Sequence, residues 1–216
     1  MNIGFIGSGN AAQTLGSSLV RLGHDVKLGA RNPEKLNTWL EEMNQLGKAS
    51  VGSVREAAEH GDIIFNATPG AASLEILHAA GAQALKGKIL IDIALPLQFL
   101  NDELSLSVAN TDSLGEQIQR AFPDVKVVKT LNTVTSALMV DPLSLADGQH
   151  DLFISGNDAD AKREVIEYLK EWFGWKSVID LGDISSARGT EMMLALSSRI
   201  YGAVGHMNFN IKIVGR

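Results

Sequence analysis

Ile3-Gly4-Phe5-Ile6-Gly7-Ser8-Gly9-Asn10-Ala11-Ala12 is the stretch whose reading decides the fold. A short apolar run of strand character enters two glycines spaced by one residue. A helical apolar stripe follows through Ala12, Leu15, Leu19, Val20 and Leu22. Two such glycines are weak evidence alone, but between a strand and a helix they specify a phosphate-binding turn. Gly7 permits the tight turn. Gly9 lets the backbone approach a pyrophosphate with no side chain between them. Ala12, small like the usual third glycine, lets helix and strand pack closely. The freed amides of the loop and the positive end of the helix then favour the anion.

The next strand, residues 26–28, selects the dinucleotide. A site for NAD normally carries Asp or Glu at the end of that strand, to bond the ribose hydroxyls. Here the end reads Gly29-Ala30-Arg31-Asn32, and Asp25 stands at the start of the strand, out of reach. Arg31 offers a planar fork to a phosphate, and Lys35 follows one helical turn later. The pattern points to NADP(H).

Short apolar runs alternate with segments of helical period along the rest of the chain, the signature of βαβ units around a parallel sheet. Strands are expected at 49–51, 63–67, 88–94, 125–131, 151–155 and 177–181. Helices are expected at 54–59, 74–84, 114–122, 161–173 and 187–204, with one more carrying Leu36, Trp39, Leu40 and Met43 on a single face. Residues 97–111 are the least regular. The tail from His206 to Arg216 alternates Phe209, Ile211 and Ile213, and is expected to pair as an edge strand or to fold over a neighbouring subunit. Truncation at Gly205 is then expected to turn a homodimer into a monomer.

Composition bounds the function. The 216 residues are 45% hydrophobic and 20% charged, and 19 basic against 25 acidic side chains give a net charge of −6. That balance is expected of neither a nucleic-acid-binding nor a membrane-surface protein. With no cysteine, disulfides, thiolate nucleophiles and Cys-based metal sites are excluded. No His and carboxylate cluster has metal-ligand spacing, so no metal is expected. The first residues lack a signal-peptide pattern and no apolar run reaches the ~20 residues of a membrane helix, so a cytoplasmic protein is expected.

The quoted loop, together with Leu28-Gly29-Ala30-Arg31, Ala67-Thr68-Pro69, Val128-Lys129-Thr130-Leu131-Asn132-Thr133 and Ser155-Gly156-Asn157-Asp158, resembles the coenzyme F-420-dependent NADP oxidoreductases. The segment Asp180-Leu181-Gly182, with Ser185-Ser186-Ala187-Arg188 and Glu191, is also similar to the oxidoreductase domain of the STEAP metalloreductases. The resemblance covers nearly the whole chain. It implies a Rossmann-type, doubly wound, mainly parallel sheet with a short helical C-terminal extension. Residues 1–183 would form the NADP-binding domain, and residues 184–216 a helix and tail at the active site or a dimer interface. It further implies contacts to NADP(H) from Ser8 to Ala11, Ala30, Arg31, Lys35 and the Thr68-Pro69 turn. The nicotinamide would lie near Thr68, Pro69, Gly70, Ala94 and Asn132, and a flavin or F-420 would serve as co-substrate. The chain departs from the family in having Ala30 where a serine is common, and Asn132 and Thr135 where His and Pro are common.

Hydride exchange between two redox rings requires alignment and exclusion of water rather than a proton donor, and no catalytic acid or base stands out. Thr133, His206 and Met207 are the candidates for the substrate pocket. Asp92 is expected to be a buried, bonded carboxylate, and Arg188 and Glu191 to pair along one helix. Two other readings are an imine or carbonyl reductase, which would need a proton donor, and a non-catalytic NADP(H)-binding sensor.

Overall fold

The computed structural model describes residues 1–100 and 103–215. Arg216, the end of the predicted tail, and residues 101–102 of the irregular stretch lie outside them. The chain runs β1 (Asn2–Ile6), α1 (Asn10–Arg21), β2 (Asp25–Gly29), α2 (Asn37–Asn44), β3 (Ala49–Gly52), α3 (Val54–His60) and β4 (Ile63–Asn66). It continues through α4 (Ser73–Ala80), α5 (Ala82–Leu85), β5 (Ile89–Asp92), β6 (Leu97–Leu100), β7 (Glu103–Leu106), α6 (Leu114–Ala121) and β8 (Lys126–Thr130). The last part holds α7 (Ser136–Val140), β9 (Leu152–Gly156), α8 (Ala159–Phe173), β10 (Val178–Asp180) and α9 (Ala187–Val204).

Among the described residues eight strands form one sheet in the order β10-β9-β8-β5-β4-β1-β2-β3. All neighbours are parallel except β8 and β9. The chain starts at β1, winds outward to β3, then crosses back to β4 on the other side of β1. In open sheets of this kind, ligands bind beyond the strand C-termini at that reversal. The expected Rossmann-type fold is therefore present.

The parallel strands read as apolar runs because both faces are covered. Ile3 and Phe5 join one buried layer with Leu15, Leu19 and Trp39, and the Phe5 and Phe65 rings stack at 4.6 Å. Ile6, Ile64, Leu77, Leu90 and Ile118 form the layer on the opposite face. Alternate side chains of β1 and β4 thus serve opposite layers, as a pleated strand requires.

Four expectations need correction. The helix expected over 74–84 breaks at Gly81, whose φ of +98° ends α4 before α5 begins. The irregular stretch contains an antiparallel β6–β7 pair, matched from Leu97↔Leu106 to Leu100↔Glu103. Helix α7 was not anticipated, since five residues carry too little periodicity to read. The described residues of the tail form no strand. The tail is tied to Asp151: the Asp151 amide donates to Ile211 O at 2.9 Å, the Ile213 amide to Asp151 Oδ2 at 2.6 Å, and Asn210 Nδ2 to Asp151 O at 3.0 Å. His150, in the loop before β9, is buried beside the tail between Pro142 O and the Asn210 side chain.

Candidate functional site

Three adjoining cavities lie along the C-terminal ends of the central strands. The first, about 460 Å³, is an open crevice bordered by Gly7, Ser8, Gly9, Asn10, Ala11, Ala30 and Arg31, with Thr68 and Pro69 at its far side. Gly7 has φ +123°, and its amide donates to Gly29 O at 3.0 Å. A Cβ on Gly7 would lie 2.3 Å from Ala67 O, so the turn admits no side chain there. Gly9 presents the opposite case. Among the described residues, chain neighbours aside, a Cβ on it would meet nothing within 4 Å, so the space in front of this residue is left open by the fold. Gly9 caps α1 without a side-chain hydrogen bond, and the first turn of the helix carries no acid. The positive end of α1 therefore faces the crevice uncompensated. Gln13 Nε2 bonds Ser8 O at 2.9 Å and Asn10 Nδ2 bonds Ser136 Oγ at 2.6 Å, which ties the loop to α1 and α7.

Arg31 borders the crevice and is exposed. Lys35 is also exposed but does not line the cavity. Asp25 sits at the opposite end of β2, where it faces His60 at 3.3 Å.

The second cavity, about 250 Å³, shares Ala11, Ala67, Thr68 and Pro69 with the first, so the two are continuous. Gly70, Ala94 and Met139 complete the walls that matter here. Thr68 and Ala94 are held from behind by a buried polar chain. Thr68 Oγ1 donates to Asn66 Oδ1 at 2.7 Å, and Asn66 Nδ2 donates to Asp92 Oδ1 at 2.8 Å. The Ala94 amide also reaches Asp92 Oδ1, at 3.2 Å. Lys129 Nζ donates to Asp92 Oδ2 and Glu191 Oε1, each at 2.9 Å, and to Ala94 O. Glu191 then accepts from the Leu114 and Gly115 amides, at 2.8 and 3.0 Å, at the start of α6. The Lys129 and Asp92 side chains are fully buried. Burial pulls the Lys129 pKa down, but the two carboxylates outweigh it and hold the ammonium above its usual range. Asp92 is the bonded carboxylate that was expected.

The third cavity, about 120 Å³, adjoins the second at Leu95. Asn132, Thr133, Leu194, Ser197, Met207 and Phe209 line it. Leu131, just before Asn132, holds φ +63° while fully buried. A leucine in the left-handed region is strained, and the strain aims the following residues past the strand end. Asn132 is only 7% exposed, yet among the described residues its Nδ2 and the Thr133 Oγ1 find no hydrogen-bond partner. Buried polar atoms in that state are rare and costly.

The structure therefore brings together the loop residues, Ala30, Arg31, Thr68, Pro69, Gly70 and Ala94, then Asn132, Thr133 and Met207. It leaves out Lys35 and His206, the latter exposed and outside the third cavity. Arg188 and Glu191 do not pair with each other. Arg188 reaches across to Glu116, at 2.5 and 2.8 Å, and its hydrogen bonds hold the Glu116 carboxyl below its usual pKa. Glu191 is instead drawn inward by Lys129 and the α6 amides, a long-range match that helical spacing does not encode. Lys129 was missed as a structural centre. Its signal was present: a lysine that follows two valines in the interior of β8 must find a buried anion.

The family model for coenzyme F-420-dependent NADP oxidoreductases matches residues 2–96. A crystal structure from Arthrobacter sp. FB24, whose name assigns it to the F-420-dependent NADP reductases, is 47% identical with a TM-score of 0.95 and covers 100% of both chains. Metalloreductase STEAP3 of Rattus norvegicus is 30% identical over 88% of this chain, but that match is 35% of STEAP3. The chain thus spans about a third of that larger relative. The F-420-dependent NADP reductase of Methanocaldococcus jannaschii is 28% identical over 66% of this chain and 63% of its own.

Proposed function

The chain belongs to the family of coenzyme F-420-dependent NADP oxidoreductases, and on that premise we propose that it is an NADP(H)-dependent oxidoreductase with a flavin or deazaflavin as partner. One observation carries the reading. An open crevice runs from the start of α1, where no side chain caps the helix, past Arg31 at one end, to the Thr68 and Ala94 turns at the other.

The residues fit a phosphorylated dinucleotide. The space before Gly9 that a Cβ would enter is the kind of cradle a pyrophosphate needs. Gly7, Ser8, Gly9, Asn10 and Ala11 would hold it through amides and the helix end. Arg31 would bond the extra phosphate bidentately, and Lys35 would add charge from outside the crevice. Thr68, Pro69, Gly70, Ala94 and Asn132 would frame the nicotinamide. Thr133 and Met207 would meet the acceptor, and the unpartnered Asn132 and Thr133 atoms offer it a donor and an acceptor. When bound, NADPH supplies the hydride.

The protein's own part is to place two rings together and keep water out. The second and third cavities are walled by apolar, hydroxyl and amide groups. Among the described residues, no Asp, Glu, His, Lys or Tyr side chain lines either of them. That favours ring-to-ring transfer over imine or carbonyl reduction, in which oxygen or nitrogen must be protonated.

Arg31→Ala tests the cofactor assignment. We expect at least a tenfold loss of NADPH affinity with NADH affinity changed less than twofold, measured by fluorescence titration. An unchanged preference would remove Arg31 from the phosphate site.

A further inference from the structure

We propose that Lys129 is a positioning residue that ties the crevice wall at Thr68 and Ala94 to helix α9, so that one buried cation sets the spacing between the crevice and the third cavity. Each of its three N–H bonds is used: Asp92 and Ala94 O on the crevice side, Glu191 on the α9 side. Through Asp92 and Asn66 it reaches the Ala94 amide and Thr68. Through Glu191 it fixes the first turns of α9. The next turns of that helix place Leu194 and Ser197 in the third cavity. Among the described residues of α9, only Ala187, Thr190 and Glu191 are buried, so the helix has few other anchors.

The arrangement has physical force because it is dry. A charge in a low-dielectric interior interacts strongly with its partners, and removing one partner leaves an uncompensated ion. Movement of α9 therefore draws on Lys129, and Lys129 draws on the Asp92 and Ala94 groups that shape the crevice. Coupling of this kind is reciprocal.

The test is Glu191→Gln, followed by amide hydrogen exchange read residue by residue. Glutamine keeps the shape but offers one amide oxygen where three donors compete. Exchange at the Ala94 and Thr68 amides should rise at least tenfold relative to Leu28, a buried residue of the same sheet. Acceleration confined to Leu114, Gly115 and α9 would overturn the proposal, leaving Glu191 a local cap. Equal acceleration at Leu28 would overturn it as well, as general loss of stability. Lys129→Met should give the same pattern where it folds, and Glu191→Gln decides the matter where it does not.

The kinetic arm rests on the functional reading above. With NADPH and oxidised F-420 or FMN, Glu191→Gln should lower kcat at least tenfold and leave the NADPH KM within twofold. An unchanged kcat would overturn the positioning role. Wild-type protein that binds NADPH but reduces neither acceptor would overturn the functional reading instead, and the exchange pattern would still decide the coupling.

Discussion

Gly7 and Gly9 are two residues apart and face opposite demands. At Gly7 a methyl group would strike Ala67 O in a backbone conformation that side chains rarely adopt. Gly7→Ala should cost more than about 2 kcal/mol of stability. At Gly9 the same methyl group enters open space, with φ at an ordinary −74°. Gly9→Ala should change stability by less than about 1 kcal/mol, yet weaken NADPH binding at least tenfold. Thermal melts and NADPH titration of both variants separate the two roles; equal binding by Gly9→Ala would contradict the cradle. Both glycines were legible from the sequence, because a turn between strand and helix is a local event. Lys129, Leu131 and the true partner of Glu191 were not, because their roles depend on contacts between distant parts of the chain. Asp112 gives a residue-scale prediction for pH. The Arg120 hydrogen bond holds its carboxyl down to about 2. A lowered carboxylate stabilises the fold above its unfolded pKa near 4, and the contribution is lost as pH falls toward 2. Since Arg120 is largely exposed, the contribution is at most about 1 kcal/mol. Arg120→Gln should lower the melting temperature at pH 5 to 7, with the difference shrinking toward pH 2. A pH-independent difference would assign the effect to packing.

Among the elements, α9 joins a tight start to a loose continuation. Its first turns are gripped by Glu191 and by the Arg188–Glu116 pair, while later turns expose Leu196, Tyr201 and Val204. Arg188→Met removes the partly exposed link to α6 and leaves the buried Lys129–Glu191 bond. It should cost less than Lys129→Met, for which about 3–5 kcal/mol is expected from an unpaired buried charge. Chemical denaturation of the two variants gives the order, and a larger loss in Arg188→Met would contradict the weight placed on burial. The extent of α9, 187–204, was readable to the residue from composition and period, whereas its inward face was not. Its apolar positions are spread around the helix, so periodicity alone could not choose a face. The break at Gly81 shows the same limit, since a glycine inside an apolar helical run reads equally as tolerated or as a stop.

At the scale of the molecule, exposed apolar surface gathers on α9 and on the β6–β7 pair, where Phe99 is 76% exposed. We propose that this face forms the homodimer, and that residues 184–216 act as an appendage to the 1–183 nucleotide domain. Met207 and Phe209 of the tail line the third cavity, so removing the tail at Gly205 should open that cavity. Leu196→Glu with Phe99→Glu should yield monomer by light scattering with an unchanged fold, and a double variant that stays dimeric would place the interface elsewhere. Among the described residues no helix is long and apolar enough to cross a membrane. The most direct measurement of the central claim is anaerobic NADPH oxidation by the purified protein, comparing oxidised F-420, FMN, FAD and no acceptor. Acceptor-dependent oxidation of NADPH, with NADH oxidised at least tenfold more slowly, is the predicted result. Tight NADPH binding with no oxidation by any of the three acceptors would contradict it, and would leave a cofactor-sensing protein in place of an oxidoreductase.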